Sequence, residues 1–205
     1  MSYVAVVNYG MGNIDSVARA LQECGGAVCV TDRAEELERA THVVLPGVGA
    51  FADGMGRIRQ RGLDRLMAEQ CLGRGIPLLG LCLGMQLLAR RGDEGGETPG
   101  LGFIAAEVKR LAPDGPTVRL PHVGWNEVHF TRPSALLAGV ADGADFYFTH
   151  SYQMVCDQPE VVLATSPYCG GFASVVGCGR IFGVQFHPEK SQKVGFQLLR
   201  NFLAS

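Results

Sequence analysis

The segment Gly80-Leu81-Cys82-Leu83-Gly84-Met85-Gln86 constrains this chain more than any other. It follows the apolar, strand-like run Ile76-Pro77-Leu78-Leu79 and leads into the helix-like run Leu87-Leu88-Ala89-Arg90-Arg91. A thiol between two glycines at a strand-to-helix junction is the cysteine form of a nucleophile elbow. The turn puts Cys82 in an unusual backbone conformation and brings neighbouring chain close, so the flanking positions cannot carry bulk. The thiol is expected at the sheet edge, beside a helix N-terminus whose field favours a thiolate. The Leu83 N–H is expected to be free to face an oxyanion.

The pattern around the elbow predicts an α/β chain. Strand-like segments Tyr3–Val7, Ala27–Thr31, His42–Leu45 and Ile76–Leu81 alternate with helical segments Asn13–Glu23, Ala34–Ala40 and Gly54–Cys71. This order implies parallel strands covered by helices. The second half changes character. Phe103–Leu111, Thr117–Leu120, Glu127–Phe130, Asp145–Thr149, Val161–Thr165, Ala173–Cys178 and Ile181–Phe186 read as strands joined by short turns, where antiparallel pairing is expected. Lys193–Leu203 repeats apolar residues at helical spacing. The expectation is one domain over residues 1–205, with a central mixed, mainly parallel sheet flanked by helices and antiparallel strands in the second half.

Charge and cysteine usage narrow the function classes. The formal charge of −2 leaves no basic footprint and argues against nucleic acid. The stretch from Met1 to Gly10 has no basic segment ahead of a long apolar run, so neither a signal peptide nor a membrane span is expected. Seven cysteines without a CxxC pair fit reduced thiols and a cytoplasmic location. No His/Cys group has zinc-like spacing, so neither a metal nor another cofactor is expected.

A cysteine nucleophile needs a base, and the base needs an orienter. His187 ends a strand in Phe186-His187-Pro188-Glu189. Pro188 biases it toward extended geometry, where residues two apart share a side, so Glu189 can reach the imidazole. A second oxyanion donor is expected from Pro46-Gly47-Val48-Gly49, where the two glycines would let the peptide beside Val48 adopt, or flip between, unusual conformations. Alone, each motif is weak: Gly-x-Cys-x-Gly is more often a tight turn, and His-Pro-Glu a loop. Together, at separate strand ends, they fill the nucleophile, base and orienter roles.

These residues resemble those of the class I, triad-type glutamine amidotransferases. Further segments narrow the likeness: Asn8-Tyr9-Gly10-Met11-Gly12-Asn13, the run from Leu120 through Pro121-His122-Val123-Gly124-Trp125-Asn126 to Glu127, Phe146-Tyr147-Phe148-Thr149-His150-Ser151-Tyr152, and Phe186 to Ser191. They are similar to the glutaminase subunits of imidazole glycerol phosphate synthases. The resemblance spans essentially the whole chain. It implies a Cys82–His187–Glu189 triad, with oxyanion donors at Leu83 and Val48. It implies that Gly49, Gln86, Glu94, Ser151 and Tyr152 hold glutamine; Asp93 and Glu97 stand near Glu94 in the same Gly-rich stretch. It further implies a heterodimer with a (β/α)8 cyclase subunit, which would receive the ammonia. Asn13, His122, Trp125, Asn126, Tyr147 and Lys190 would face that partner.

Other readings stay open at this level. Gly10-Met11-Gly12 with Asp32 imitates a dinucleotide fingerprint, but Asp15 stands where the third glycine belongs. From the residues alone, Trp125 reads slightly better as a half-buried packing residue than as an interface anchor. His122 and His150 fit either a core or an interface, while His42 and His129 read as bystanders. A stand-alone cysteine hydrolase, a silent binding module and another class I glutaminase are the competing functions.

Overall fold

A computed structural model describes residues 2–205. The first half builds a parallel sheet from β1 (Tyr3–Val7), β2 (Ala27–Thr31), β3 (His42–Leu45) and β4 (Leu78–Leu81), connected by α1 (Ile14–Glu23), α2 (Ala34–Arg39), α3 (Phe51–Gln60) and α4 (Leu63–Met67). The expected long helix over Gly54–Cys71 is divided. It starts earlier, at Phe51, breaks at Gly62 (φ +67°), and ends in a π-helical turn, Ala68–Gly73. The elbow helix α5 is one short piece, Leu83–Leu87, so the helical run expected through Arg91 is not formed.

After α5 come β5 (Arg91–Gly92), β6 (Thr98–Pro99), β7 (Ala106–Arg110), β8 (His122–Phe130), β9 (Ala144–His150), β10 (Tyr152–Cys156), β11 (Val162–Ser166), β12 (Phe172–Cys178), β13 (Ile181–Val184) and α6 (Gln192–Leu203). The expected strand Thr117–Leu120 is turn and coil instead. Pro116 and Pro121 bracket it, and neither offers a ladder N–H. β7 is shorter than expected, while β8 starts five residues before Glu127, at His122.

Among the described residues the main sheet has nine strands in the order β2-β1-β3-β4-β13-β12-β11-β8-β9. β2 through β13 run parallel, and β13 through β9 alternate antiparallel. This is the mixed sheet that the element order implied. A second, four-stranded sheet, β10-β7-β5-β6, was not anticipated.

Alternation along the central strands divides the core. Val4, Val6, Val44, Leu79, Leu81 and Val184 pack with residues of α1 and α6, such as Leu21, Leu198 and Phe202. Ala5, Val7, Val43, Leu45 and Leu78 pack on the other face with Phe51, Met55, Leu63 and Leu83. Full burial of a Leu or Phe side chain is worth about 1.5–3 kcal/mol. The two-sided core therefore fixes the parallel strands, and with them the positions of their C-terminal ends.

Candidate active site

Three of those ends meet at one edge. β3 delivers Pro46-Gly47-Val48-Gly49, β4 delivers Cys82, and β13, seated directly beside β4, leads into His187. Cys82 adopts φ +52° and ψ −110°, the strained elbow the motif requires. Both flanking glycines are obligatory. A methyl on Gly80 would come within 2.6 Å of the Gly84 carbonyl oxygen, and one on Gly84 would collide with the Leu45 carbonyl.

Cys82 is 6% exposed, its sulfur 3.7 Å from the Thr149 carbonyl oxygen. His187 donates from Nδ1 to Glu189 Oε1 at 2.9 Å, and both side chains are almost wholly buried. That bond fixes the tautomer and leaves Nε2 for the thiol side; Nε2 has no hydrogen-bond partner among the described residues. Burial pushes the His187 pKa down, but Cys82 and then Glu189 push harder, and it stands at about 9. The imidazole is thus charged at neutral pH and poised to give a proton. Ser191 anchors its backbone: Oγ donates to His187 O (2.6 Å) and accepts from Tyr147 N (3.0 Å).

The loop expected to supply an oxyanion donor departs from expectation. Leu83 N–H is not free: it donates to the Gly47 carbonyl oxygen at 3.3 Å. Gly47 is tightly enclosed, whereas Gly49 has φ +110°, a conformation that L side chains rarely adopt. Leu83 N–H is occupied because the Gly47–Val48 peptide presents its oxygen to the elbow.

A cavity of 310 Å³ opens over Cys82, lined by Val48, Gly49, Gln86, Glu94, Ser151 and Tyr152 among others. All five residues implied for glutamine thus converge. Gln86 spends its amide on Tyr152 O and Gln185 Oε1, both at 3.0 Å. Glu94 Oε2 accepts from Phe51 N at 2.8 Å, so the carboxylate is fixed at the start of α3. Asp93 is outside the cavity lining, and Glu97 is drawn off by Arg91 at 2.8 Å. Of the three acids, Glu94 is the one held at the cavity.

The residues implied for a partner are placed unequally. Trp125 is 48% exposed and meets Tyr147 edge-on, with Lys190 Nζ 5.7 Å from the Tyr147 ring centre. Asn13 is exposed ahead of α1, and Asn126 is partly covered. His122 is the exception, only 3% exposed and stacked between Phe148 and Tyr168. Its ring supports Asn126 from below (3.2 Å) rather than presenting itself. Gln185, which the sequence reading missed, lies wholly buried with Nε2 3.7 Å from the Cys82 sulfur. A lone glutamine in the apolar run Ile181-Phe182-Gly183-Val184-Gln185-Phe186 was the available signal. Among the described residues no group of His, Cys, Asp and Glu is arranged to hold a metal.

A buried thiol on an elbow, a carboxylate-oriented histidine and an amide-lined cavity on this sheet are the parts an amide-hydrolysing site would need, and comparison with known proteins shows an amidotransferase class. The chain belongs to the family described as "Glutamine amidotransferase class-I", whose model matches residues 5–205. Within that class it falls with proteins named "Imidazole glycerol phosphate synthase subunit HisH". The relative from Moorella thermoacetica is 50% identical over 202 residues, covering 98% of this chain and 94% of the relative. One from Caulobacter vibrioides is 43% identical over 209 residues, covering 99% and 98%. Among solved structures, PurLQS from Thermotoga maritima superposes with a TM-score of 0.75 at 17% identity, over 100% of this chain and 99% of that one. The glutaminase domain of Trypanosoma brucei CTPS with bound acivicin gives 0.70 at 15%, over 98% and 91%. At those identities the structures speak for the fold alone.

Proposed function

We propose that this chain, acting as one glutamine amidotransferase domain, hydrolyses glutamine to glutamate and ammonia and passes the ammonia to a (β/α)8 cyclase subunit in a heterodimer. The cyclase would use it to form imidazole glycerol phosphate and an aminoimidazole carboxamide ribotide in histidine biosynthesis. The observation that carries this reading is the convergence of Cys82, the His187–Glu189 pair and the Gln86–Glu94–Tyr152 cavity at one sheet edge. Near-full-length likeness to HisH subunits supports the pathway. A cytoplasmic location belongs to the same reading, supported by seven cysteines that are all unpaired.

The geometry supports the following chemistry. The Cys82 thiolate attacks the side-chain carboxamide carbon of glutamine, and its C=O electrons move to oxygen. Leu83 N–H and a donor from the Val48 peptide hold that oxyanion. The tetrahedral intermediate collapses, the C–N bond breaks, and the His187 imidazolium gives its proton to the departing nitrogen as ammonia. His187 then takes a proton from water, which attacks the thioester; the C–S bond breaks and glutamate leaves. Glu189 keeps Nδ1 protonated and steadies the charged ring throughout.

Because Gly47 O occupies Leu83 N–H, this is a resting arrangement. Turning the Gly47–Val48 peptide over would free Leu83 and bring the Val48 N–H round. The partner is the natural trigger: the exposed Trp125 and Lys190, with the half-buried Tyr147, lie at the β8–β9 edge and the turn after His187. Glutamate release should be measured for the isolated chain, for the complex with a cyclase subunit, and for that complex with cyclase ligand. One oxyanion donor is worth about 10²–10³ in rate, so stimulation of at least that order is expected. Equal rates in all three states would refute the switch and favour a stand-alone hydrolase.

A further inference from the structure

Tyr9 has no exposed surface, yet its hydroxyl makes no hydrogen bond among the described residues. A phenylalanine would fill the same volume without leaving a polar group unsatisfied in the core. The position of the hydroxyl explains why a phenol stands there. A methyl built on Gly47 would collide with Tyr9 Oη, and would lie 3.0 Å from Leu83 Cβ and 3.1 Å from Gly84 N. Phenol, oxyanion loop and the start of the elbow helix therefore meet around one point. Burial, and then the nearby Cys82, raise the Tyr9 pKa well above the ordinary phenol value, so the group is a neutral donor at every working pH.

The resting bond from Leu83 N to Gly47 O is 3.3 Å, beyond the usual range for an amide–carbonyl pair. Catalysis requires that N–H for the oxyanion, so the Gly47 carbonyl must leave it. Gly47 is buried, and a buried carbonyl without a donor is costly. Rotation about the Cα–C bond of Gly47 swings its oxygen past the side on which Tyr9 Oη waits. The other buried unpartnered hydroxyls, on Ser166 and Ser174, are carried by β11 and β12 rather than by this loop. We propose that Tyr9 is a positioning residue of the glutaminase: its hydroxyl takes up the Gly47 carbonyl when the loop turns over, and so holds the oxyanion hole open. The orphan hydroxyl of the resting state is then a partner held in reserve for the active one. This inference rests on the glutaminase reading and adds a residue that touches neither glutamine nor the reacting atoms.

The test is Tyr9→Phe in the reconstituted complex with cyclase subunit and cyclase ligand, with kcat, KM for glutamine and the thermal midpoint measured. Loss of one neutral hydrogen bond present only in the open state should lower kcat about 3- to 10-fold. KM should stay within about twofold of wild type, because the glutamine-holding residues are untouched. The thermal midpoint should be unchanged or higher, because the resting fold loses only an unsatisfied group. A merely structural tyrosine would instead lower the midpoint. Wild-type kcat in the variant, or a lowered midpoint with kcat and KM shifting together, overturns the proposal. If the wild-type complex releases no glutamate from glutamine, the glutaminase reading has failed, and the Tyr9 assignment falls with it.

Discussion

Mild acid should destabilise this protein through one buried pair of rings. The Asn126 amide donates to His122 Nε2 at 3.2 Å, His122 Nδ1 donates to His150 Nε2 at 3.0 Å, and His150 Nδ1 donates to Tyr152 O at 2.8 Å. The carbonyl can only accept, which assigns every proton along the chain and requires both rings to be neutral. Burial lowers His122 from 6.5 to about 4. Burial, aided by repulsion from His122 and His187, does the same to His150 against the favourable Tyr152 contact. Both folded values are depressed, so as pH falls below about 6.5 the unfolded chain takes up protons first. The stability is therefore present above that pH and is lost toward pH 4. Each pH unit costs about 1.4 kcal/mol per ring, or about 4 kcal/mol for the pair at pH 5. That is a large share of a typical total of about 5–15 kcal/mol. His187 does not contribute in this window: its raised value gives stability that is complete below 6.5 and lost only toward 9. His42, lowered by burial, adds a background of the same sign. A difference measurement removes it. His122→Phe/His150→Asn keeps an aromatic in the stack and a donor toward Tyr152 O. Urea unfolding at pH 7.5 and pH 5 should show wild type losing about 4 kcal/mol more than this variant. Equal losses in the two proteins would refute the reasoning.

Cys82→Ala should lower glutamine hydrolysis by at least about 10⁴-fold while ammonia-dependent cyclisation by the complex survives; near-normal glutamate release would remove Cys82 as nucleophile. Glu189→Gln should cost about ten- to a hundredfold less in kcat than His187→Ala. It should also move the basic limb of the pH–rate profile to lower pH, because a group that raises the His187 pKa is gone. A harsher kcat loss than in His187→Ala, or an unmoved limb, contradicts the orienter role. Gly84→Ala forces a methyl onto the Leu45 carbonyl, which is backbone and cannot step aside. A cost of roughly 1–3 kcal/mol should lower the thermal midpoint by about 2–12 °C, and an unchanged melt would show that the elbow has room.

The parallel half of the fold was legible because its strands are short, mostly apolar runs closed by turn-forming residues, as in Tyr3–Asn8, Ala27–Asp32 and His42–Pro46. β8 was harder: His122, Gly124 and Asn126 interrupt the apolar alternation on its inner face, and only their cover by β9 and Tyr168 makes them strand residues. β5 has two residues and is defined by its neighbours, which local pattern cannot reveal. At the candidate site, the meeting of Cys82, His187 and Glu189 was readable because a thiol, a base and its orienter would have to come from separate strand ends, whereas the cavity residues Gly49, Gln86, Glu94, Ser151 and Tyr152 were legible only through the family resemblance. Gln185 and Tyr9 were not, since a polar group aimed at a thiol or a peptide reads locally as part of an apolar run or a turn. The occupied Leu83 N–H was unreadable in principle, because sequence specifies the loop but not which way its peptide faces.

The seat of β13 between β4 and β12 also governs when the molecule becomes chemically competent. The thiol is made early, on β4, whereas its base follows the last strand to be synthesised. Until that strand slots into the middle of the sheet, β4 has an open edge and Cys82 has no base. A nascent or truncated chain therefore carries a disarmed thiol and cannot squander glutamine. Completion of the sheet therefore brings the base to the thiol, and the turn of the Gly47–Val48 peptide remains as the separate step that opens the oxyanion hole.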